Sequence, residues 1–205
     1  AGRHADLVLA IGARFDDRSS SSWMPGYSWN FPATRLVHVD VDHAEIGRNY
    51  PPTLGILADA RVFLRQLLSA LEQRRVPSGE RLQAWRAQIA GWKAEWDAYV
   101  RPNFDIHATP IRPERIVADC RSVLPDDAII SLDSGVHHNW FMQFWEARQP
   151  QTMLNTWGFS GMGFGPSGIL GAKLAAPERA CVSVCGDGGF IMVPHVLVTA
   201  VEYDI

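Results

Sequence analysis

The sequence predicts an α/β protein built from two doubly wound, parallel-sheet units, both incomplete. Three observations carry that expectation. A short continuous apolar run at residues 5–11 suits a strand buried on both faces of a parallel sheet, and further strands are read at 36–41, 128–132 and 180–184. Between them lie stretches whose apolar residues recur at three- and four-residue intervals, the pattern of amphipathic helices. Two of the later runs stop at DSG (133–135) and GDGG (186–189), at the carboxyl ends of strands where open parallel sheets gather their ligands.

Composition narrows the field of partners. With 205 residues and 47% hydrophobic content, the chain can bury one large core or two small ones. A formal net charge of −3 supplies neither a basic stripe for nucleic acid nor a polybasic anchor for a membrane, and neither partner is expected. No apolar stretch approaches the roughly 20 residues of a membrane-spanning helix, and no signal peptide opens the sequence. A cytoplasmic setting is the expectation. Cys120, Cys181 and Cys185 offer neither a disulfide framework nor the paired spacing of a zinc site, and read as reduced thiols. The sequence starts at Ala1, already entering a strand, and stops at Ile205 just after a helical pattern, which reads as a fragment of a longer polypeptide.

The first strand, residues 5–11, ends at Gly12, and a polar loop with four consecutive serines follows over 14–32. A second strand covers 36–41. Asp42 and Glu45 then have the Asp-x-x-Glu spacing of a capping box, predicting a short helical turn before Pro51. Asp59 is the expected cap of a helix carrying Val62, Leu64, Leu67, Leu68 and Leu71 on one side. The pattern lapses around 77–79. Beyond it Leu82, Trp85, Ile89, Trp92, Trp96 and Tyr99, spaced 3, 4, 3, 4, 3, predict a long helix whose aromatic stripe packs on a partner surface.

A proline-containing linker is read over 101–113, followed by a helix near 114–123 and the strand 128–132. Another helix is expected over 138–146. The glycine-dense run GFSGMGFG (158–165) leads into small residues suited to close helix packing over 169–175. After the strand 180–184 and the GDGG turn, a final helix is read over 192–203 with Pro194 in its first turn. Domain bounds follow: a first α/β unit over 1–76, a helical linker over 77–112, and a second α/β unit over 113–205.

The GDGG turn carries the most chemistry. Glycines let backbone N–H groups approach phosphate oxygens closely, and one carboxylate suffices for Mg²⁺, which takes one or two carboxylates together with substrate phosphates. On its own the motif is equally compatible with a common turn sequence.

The run GFSGMGFG, the helix and strand after it, GDGGF (186–190) and AVEY (200–203) together resemble the diphosphate-binding domain of thiamine diphosphate enzymes, closest to the acetolactate synthase catalytic subunit. GARFDDR (12–18) and HVDVD (38–42) resemble the central domain of the same family. The resemblance covers nearly the whole chain and implies two Rossmann-like units, part of a central domain and part of a diphosphate-binding domain. It implies thiamine diphosphate and Mg²⁺ as cofactors. Asp187 stands at the metal-ligand position, Gly186, Gly188 and Gly189 beside the diphosphate, and Met162 where an apolar residue supports the bent cofactor, with Ser160 in the same loop. Gly135 and His137 match a segment lying along the cofactor, although Val136 replaces a family glutamine. Pro166 and Ser167 also depart from the pattern, putting the start of the next helix in doubt.

For the first unit, the resemblance implies an FAD site at Arg14, Asp40 and Asp59. Relatives with a similar central domain have lost flavin or bind other nucleotides, and the two carboxylates equally suit capping alone. The implied reaction is decarboxylation of pyruvate and transfer of the hydroxyethyl unit to a second 2-oxoacid, giving acetolactate or acetohydroxybutyrate. The glutamate that activates the cofactor, and an Asn-Asn pair completing the metal motif, are expected outside this sequence. The 205-residue piece is therefore expected to be inactive alone, and the intact protein to be a homodimer or homotetramer, with room for a regulatory subunit. The rival readings are another thiamine diphosphate-dependent decarboxylase, carboligase or diketone hydrolase, and a non-catalytic nucleotide-binding module.

Overall fold

Every segment read as a strand forms one in the computed structural model, which describes residues 1–74 and 79–205. In the first unit, strands β1 (Leu7–Ile11), β2 (Arg35–Asp40) and β3 (Leu54–Leu57) make a parallel sheet in the order β1-β2-β3. The central strand is the most buried, with Leu36 and Val39 closed off from solvent. His38 is buried too, and both ring nitrogens are used: Nε2 lies 2.9 Å from the Ala13 carbonyl, and Nδ1 accepts the Gly47 N–H at 3.3 Å. That pair of bonds places the proton on Nε2 and ties the loops after β1 and β2 together.

Phe15 anchors the polar loop between β1 and β2. It is buried at a positive φ of 50°, a conformation unusual for a bulky side chain. Four rings hold it edge-on: Trp29, Phe31, His38 and Tyr50, at centroid distances of 5.4 to 6.0 Å. The expected helical turn at 42–45 is a run of turns instead. Asp40 takes the Asp42 N–H at 2.9 Å, so the bond a capping box would use is already occupied, and Glu45 pairs with Arg48 at 2.9 Å. Helix α1 (Ala60–Glu72) starts where expected, with Asp59 accepting the Val62 N–H at 3.0 Å. None of its residues is buried.

Helix α2 (Glu80–Phe104) is the predicted long helix. It runs past the expected start of the linker, and Pro102 falls in its last turn, where the missing N–H removes one i→i−4 bond two residues before the helix ends. Trp85, Ile89 and Trp92 are half-buried; Trp92 meets Trp85 edge-on at 5.7 Å and stacks on His4 at 5.1 Å. Trp96 and Tyr99 are exposed, and Val100 is buried in their place. The chain divides into compact units Ala1–Glu95 and Trp96–Ile205, so the division falls inside α2. The domain bound read at 76/77 lies among residues 75–78, outside the described ones.

The second unit holds α3 (Pro113–Val123), β4 (Ile129–Leu132), α4 (Val136–Phe144), β5 (Met153–Asn155), α5 (Phe164–Ala175), β6 (Cys181–Val184), α6 (Asp187–Met192) and α7 (Val196–Glu202). Its sheet is parallel in the order β5-β4-β6. All four β4 residues are buried, as a centre strand covered on both faces requires. Helix α5 packs on β4 and β6, while Val117 of α3 and Phe141 of α4 join Ile130, Leu132 and Trp145 in the core. Trp145 is roofed by the Arg121 guanidinium, 4.4 Å above its ring.

Four expectations shift here. Helix α4 begins two residues earlier than read and ends at Phe144, and α5 begins at Phe164. Pro166 fits the first turn of α5 because that turn's N–H groups have no carbonyl behind them; the first bond is Ser167 N–H to the Gly163 carbonyl at 3.2 Å. Where a single terminal helix was read there are two, α6 and α7, parted at residues 193–195. Strands β3 and β5, four and three residues long, were not expected at all.

Candidate functional site

Three loops leave the carboxyl ends of β4, β5 and β6. The chain goes from β4 to β5 on one side and then crosses back to β6 on the other, so β4 is where the strand order reverses and a crevice opens. The loop after β4 is 133–135, leading into α4. The loop after β5 is the glycine-rich 156–163, leading into α5. The loop after β6 is 185–186, leading into α6.

Gly135 has φ 154°, and a Cβ there would fall 2.6 Å from Cε1 of His137, so the imidazole occupies the space a side chain would need. The same ring is 3.9 Å from a Cβ position on Gly186, which brings the loops after β4 and β6 together. His137 Nε2 is enclosed and has no hydrogen-bond partner among the described residues. Gly188 faces Met162: a Cβ there would stand 3.0 Å from the Met162 Cε. Thus Gly135, His137 and Gly186 form one contact group and Met162 and Gly188 another. Ser160, with φ 49°, shares a 3.0 Å hydrogen bond with Thr156 inside the glycine loop.

Asp187 is the first residue of α6 and is exposed at the end of β6. A carboxylate at a helix start is favoured by the helix dipole, so the position costs little. Among the described residues no three or more His, Cys, Asp or Glu side chains converge on a metal-sized point.

The residue that organises the crevice is Asp133, quoted in the DSG motif but not among the expected site residues. It has no exposed surface. Each carboxylate oxygen lies 3.0 Å from the Gly163 N–H, and Oδ1 is 3.3 Å from the Gly165 N–H. A Cβ on Gly165 would come within 2.8 Å of the Asp133 Cβ, and one on Gly189 would collide with the carboxylate itself. The sequence signal was an acid at the carboxyl end of a largely apolar strand, which Asp187, three residues after β6, broadly shares; nothing in the letters separates the buried acid from the exposed one. Cys185, between β6 and the GDGG turn, has its thiol pushed up by burial and further by the Asp133 carboxylate.

In the first unit, Arg14, Asp40 and Asp59 also sit at strand carboxyl ends. Arg14 follows β1, its carbonyl accepting from Asn49 Nδ2 at 3.0 Å. Asp40 ends β2 opposite Leu57 of β3, and its carbonyl takes the Ala58 N–H at 3.0 Å, which puts it next to the strand leading to Asp59. Both carboxylates bond local backbone through one oxygen, Asp40 to Asp42 and Asp59 to Val62. A cleft of about 550 Å³ is lined by Gly12, Arg14, Phe15, Asp16 and Trp29 among others, but by neither Asp40 nor Asp59.

No helix among the described residues is long and apolar enough to cross a membrane. Cys120, Cys181 and Cys185 are free, each partly buried.

Comparison with known proteins matches residues 1–67 to the central domain of thiamine pyrophosphate enzymes and residues 133–205 to their C-terminal TPP binding domain. The chain is 34% identical over 206 residues to a probable acetolactate synthase large subunit of Methanocaldococcus jannaschii, covering 98% of this chain and 33% of that protein. It is 34% identical over 188 residues to acetolactate synthase 2, chloroplastic, of Nicotiana tabacum, covering 92% and 27%. It is 30% identical over 203 residues to the acetolactate synthase isozyme 3 large subunit of Escherichia coli, covering 98% and 34%. The chain thus spans about one third of the length of the curated relatives it matches. Two parallel sheets with glycine-bearing loops at their carboxyl ends, and sequence matches at both ends of the chain, agree on one origin: the chain belongs to the thiamine pyrophosphate enzyme family.

Proposed function

We propose that the chain is part of an acetolactate synthase-like carboligase, which decarboxylates pyruvate with thiamine diphosphate and transfers the two-carbon unit to a second 2-oxoacid. The observation that carries this reading is the alignment of almost the whole chain with acetolactate synthase large subunits, together with Asp187 exposed above the crevice that the GDGG turn and His137 share.

The donor set fits a magnesium-bridged diphosphate. Asp187 offers one exposed carboxylate, and Mg²⁺ completes its shell with phosphate oxygens and water rather than with a cage of acids. Gly186 and Gly188 present backbone without side chains, so phosphate oxygens can approach the N–H groups that open α6. The enclosed His137 Nε2 has no partner among the described residues and suits an acceptor oxygen on the ligand. Met162 is half exposed and supplies an apolar surface beside Gly188. When bound, thiamine diphosphate serves as the electron sink for decarboxylation, and protein groups bind and orient it.

The same reading extends to FAD at the first unit, where Arg14 lines a cleft and Asp40 and Asp59 each keep a second oxygen for a ribose hydroxyl. It extends to a homo-oligomer as well, since Val136, Trp157, Phe159 and Ile191 leave apolar surface exposed on the loops and helix around the crevice. A regulatory subunit belongs to the same proposal. Three free cysteines suit a reducing, cytoplasmic setting.

Product analysis of the complete polypeptide, supplied with pyruvate, thiamine diphosphate and Mg²⁺, is the test. Acetolactate is expected. Acetaldehyde as the main product would move the protein to the simple decarboxylases, and no turnover would leave a nucleotide-binding module. A yellow preparation with a flavin spectrum is expected for the FAD site.

A further inference from the structure

We propose that Asp133 is a positioning residue for the cofactor, holding Met162 against the GDGG turn at a fixed spacing. The inference rests on the thiamine diphosphate reading of the crevice and deepens it. Asp133 itself touches no substrate.

The argument is geometric. The Asp133 backbone is pinned in the sheet, its N–H donating to the Val184 carbonyl at 2.9 Å, so the acid cannot follow a moving loop. Its carboxylate takes the N–H of Gly163 through both oxygens and that of Gly165 through one. Gly163, at φ 90°, is the cap residue of α5 and the immediate neighbour of Met162. A buried carboxylate is tolerated at that spot because the free N–H groups and dipole of a helix start compensate its charge. On its other flank the same carboxylate abuts Gly189 of α6, where a Cβ would collide with it. One side chain therefore sets the distance between the loop bearing Met162 and the turn bearing Asp187, Gly188 and Gly189. The contact that results is Met162 Cε standing 3.0 Å from a Cβ position on Gly188.

Asp133→Asn tests this, because it keeps the size but turns one acceptor oxygen into a donor facing the loop N–H groups. In the complete polypeptide with Mg²⁺ present, calorimetry should show thiamine diphosphate affinity lowered by about 10–100-fold, the range expected when a supporting partner of a binding group is lost. The KM for thiamine diphosphate should rise further than kcat falls. Met162→Ala should also weaken binding, and the double variant should bind no worse than the weaker single one, because both act through one contact. Additive losses would mean a merely structural role and would overturn the proposal, as would unchanged affinity in Asp133→Asn. If Asp133→Asn does not fold, hydrogen exchange of the wild-type protein decides: the Gly163 and Gly165 amides should be strongly protected, and fast exchange at both would refute the clasp. Failure of the wild-type protein to bind thiamine diphosphate and Mg²⁺ would instead sink the functional reading beneath it.

Discussion

The Asp133 carboxylate meets the Gly163 N–H at 3.0 Å through each of its oxygens, at the residue where the glycine loop becomes helix α5. The bond joins the end of the central strand to the loop after β5, and it occupies the volume that side chains on Gly165 and Gly189 would need. Several consequences can be measured in the complete polypeptide.

Gly165→Ala should destabilise the second unit by about 1–3 kcal/mol, the cost of overpacking a filled site. The new Cβ would stand 2.9 Å from the Asp133 backbone nitrogen, which cannot swing aside. Gly171→Ala, inside α5 with nothing within 4 Å, should instead stabilise by about 0.5–1 kcal/mol. Urea titrations of both variants would show opposite shifts of the midpoint; shifts in the same direction would contradict the packing described.

Asp187→Asn should leave thermal stability near that of the wild type, because the side chain is exposed. Mg²⁺-dependent binding of thiamine diphosphate should fall by more than about 100-fold, beyond the loss typical of a supporting residue. Calorimetry with and without Mg²⁺ checks both halves.

Cys185 should alkylate slowly at neutral pH, since burial and then the Asp133 carboxylate push its thiol above the ordinary thiol range. Its rate–pH curve should lie to the alkaline side of that of a free thiol. The linkage has the matching sign. The folded state holds this proton more tightly than the unfolded one, so the stabilisation is fully present below the unfolded value and is lost as pH rises through the folded one. Cys120 and Cys181 are raised as well, chiefly by burial, and act in the same direction. Iodoacetamide kinetics between pH 7 and pH 10, roughly spanning ordinary thiol titration, would expose a normal or lowered value.

Phe141→Ala should cost about 3–5 kcal/mol. The ring is enclosed between Ile130, Leu132, Val117 and Trp145, with no solvent to fill the hole. A loss below about 1 kcal/mol would mean the core collapses around the cavity, contrary to close packing on a rigid sheet.

What the letters disclose is what depends on local pattern. Strands β2, β4 and β6 are short segments rich in apolar and β-branched residues, and α1 and α2 keep the helical period, so each is readable, although α2 runs on into the segment read as a linker. Strand β5, Met153–Asn155, is too short to show any period and exists because β4 offers it an open edge. Strand β3 hides directly behind Pro51 and Pro52, residues that signal a loop. The GDGG turn was legible because glycine density next to an acid is itself a chemical statement. Asp133 was not: its role depends on Gly163 and Gly165, 30 and 32 positions away, folding back onto it. Likewise the capping box at Asp42 failed on a competitor two residues upstream, Asp40, whose carboxylate had already taken the N–H.

Phe15 lies at the hub of four rings in one half of the chain, while Trp145 is sealed under Arg121 in the other. Indole light from Trp29, beside that hub, and from Trp145 therefore originates in two different surroundings, one in each unit. Replacing either fluorophore by phenylalanine would dim one signal and spare the other, giving each half of the molecule its own optical gauge during denaturation.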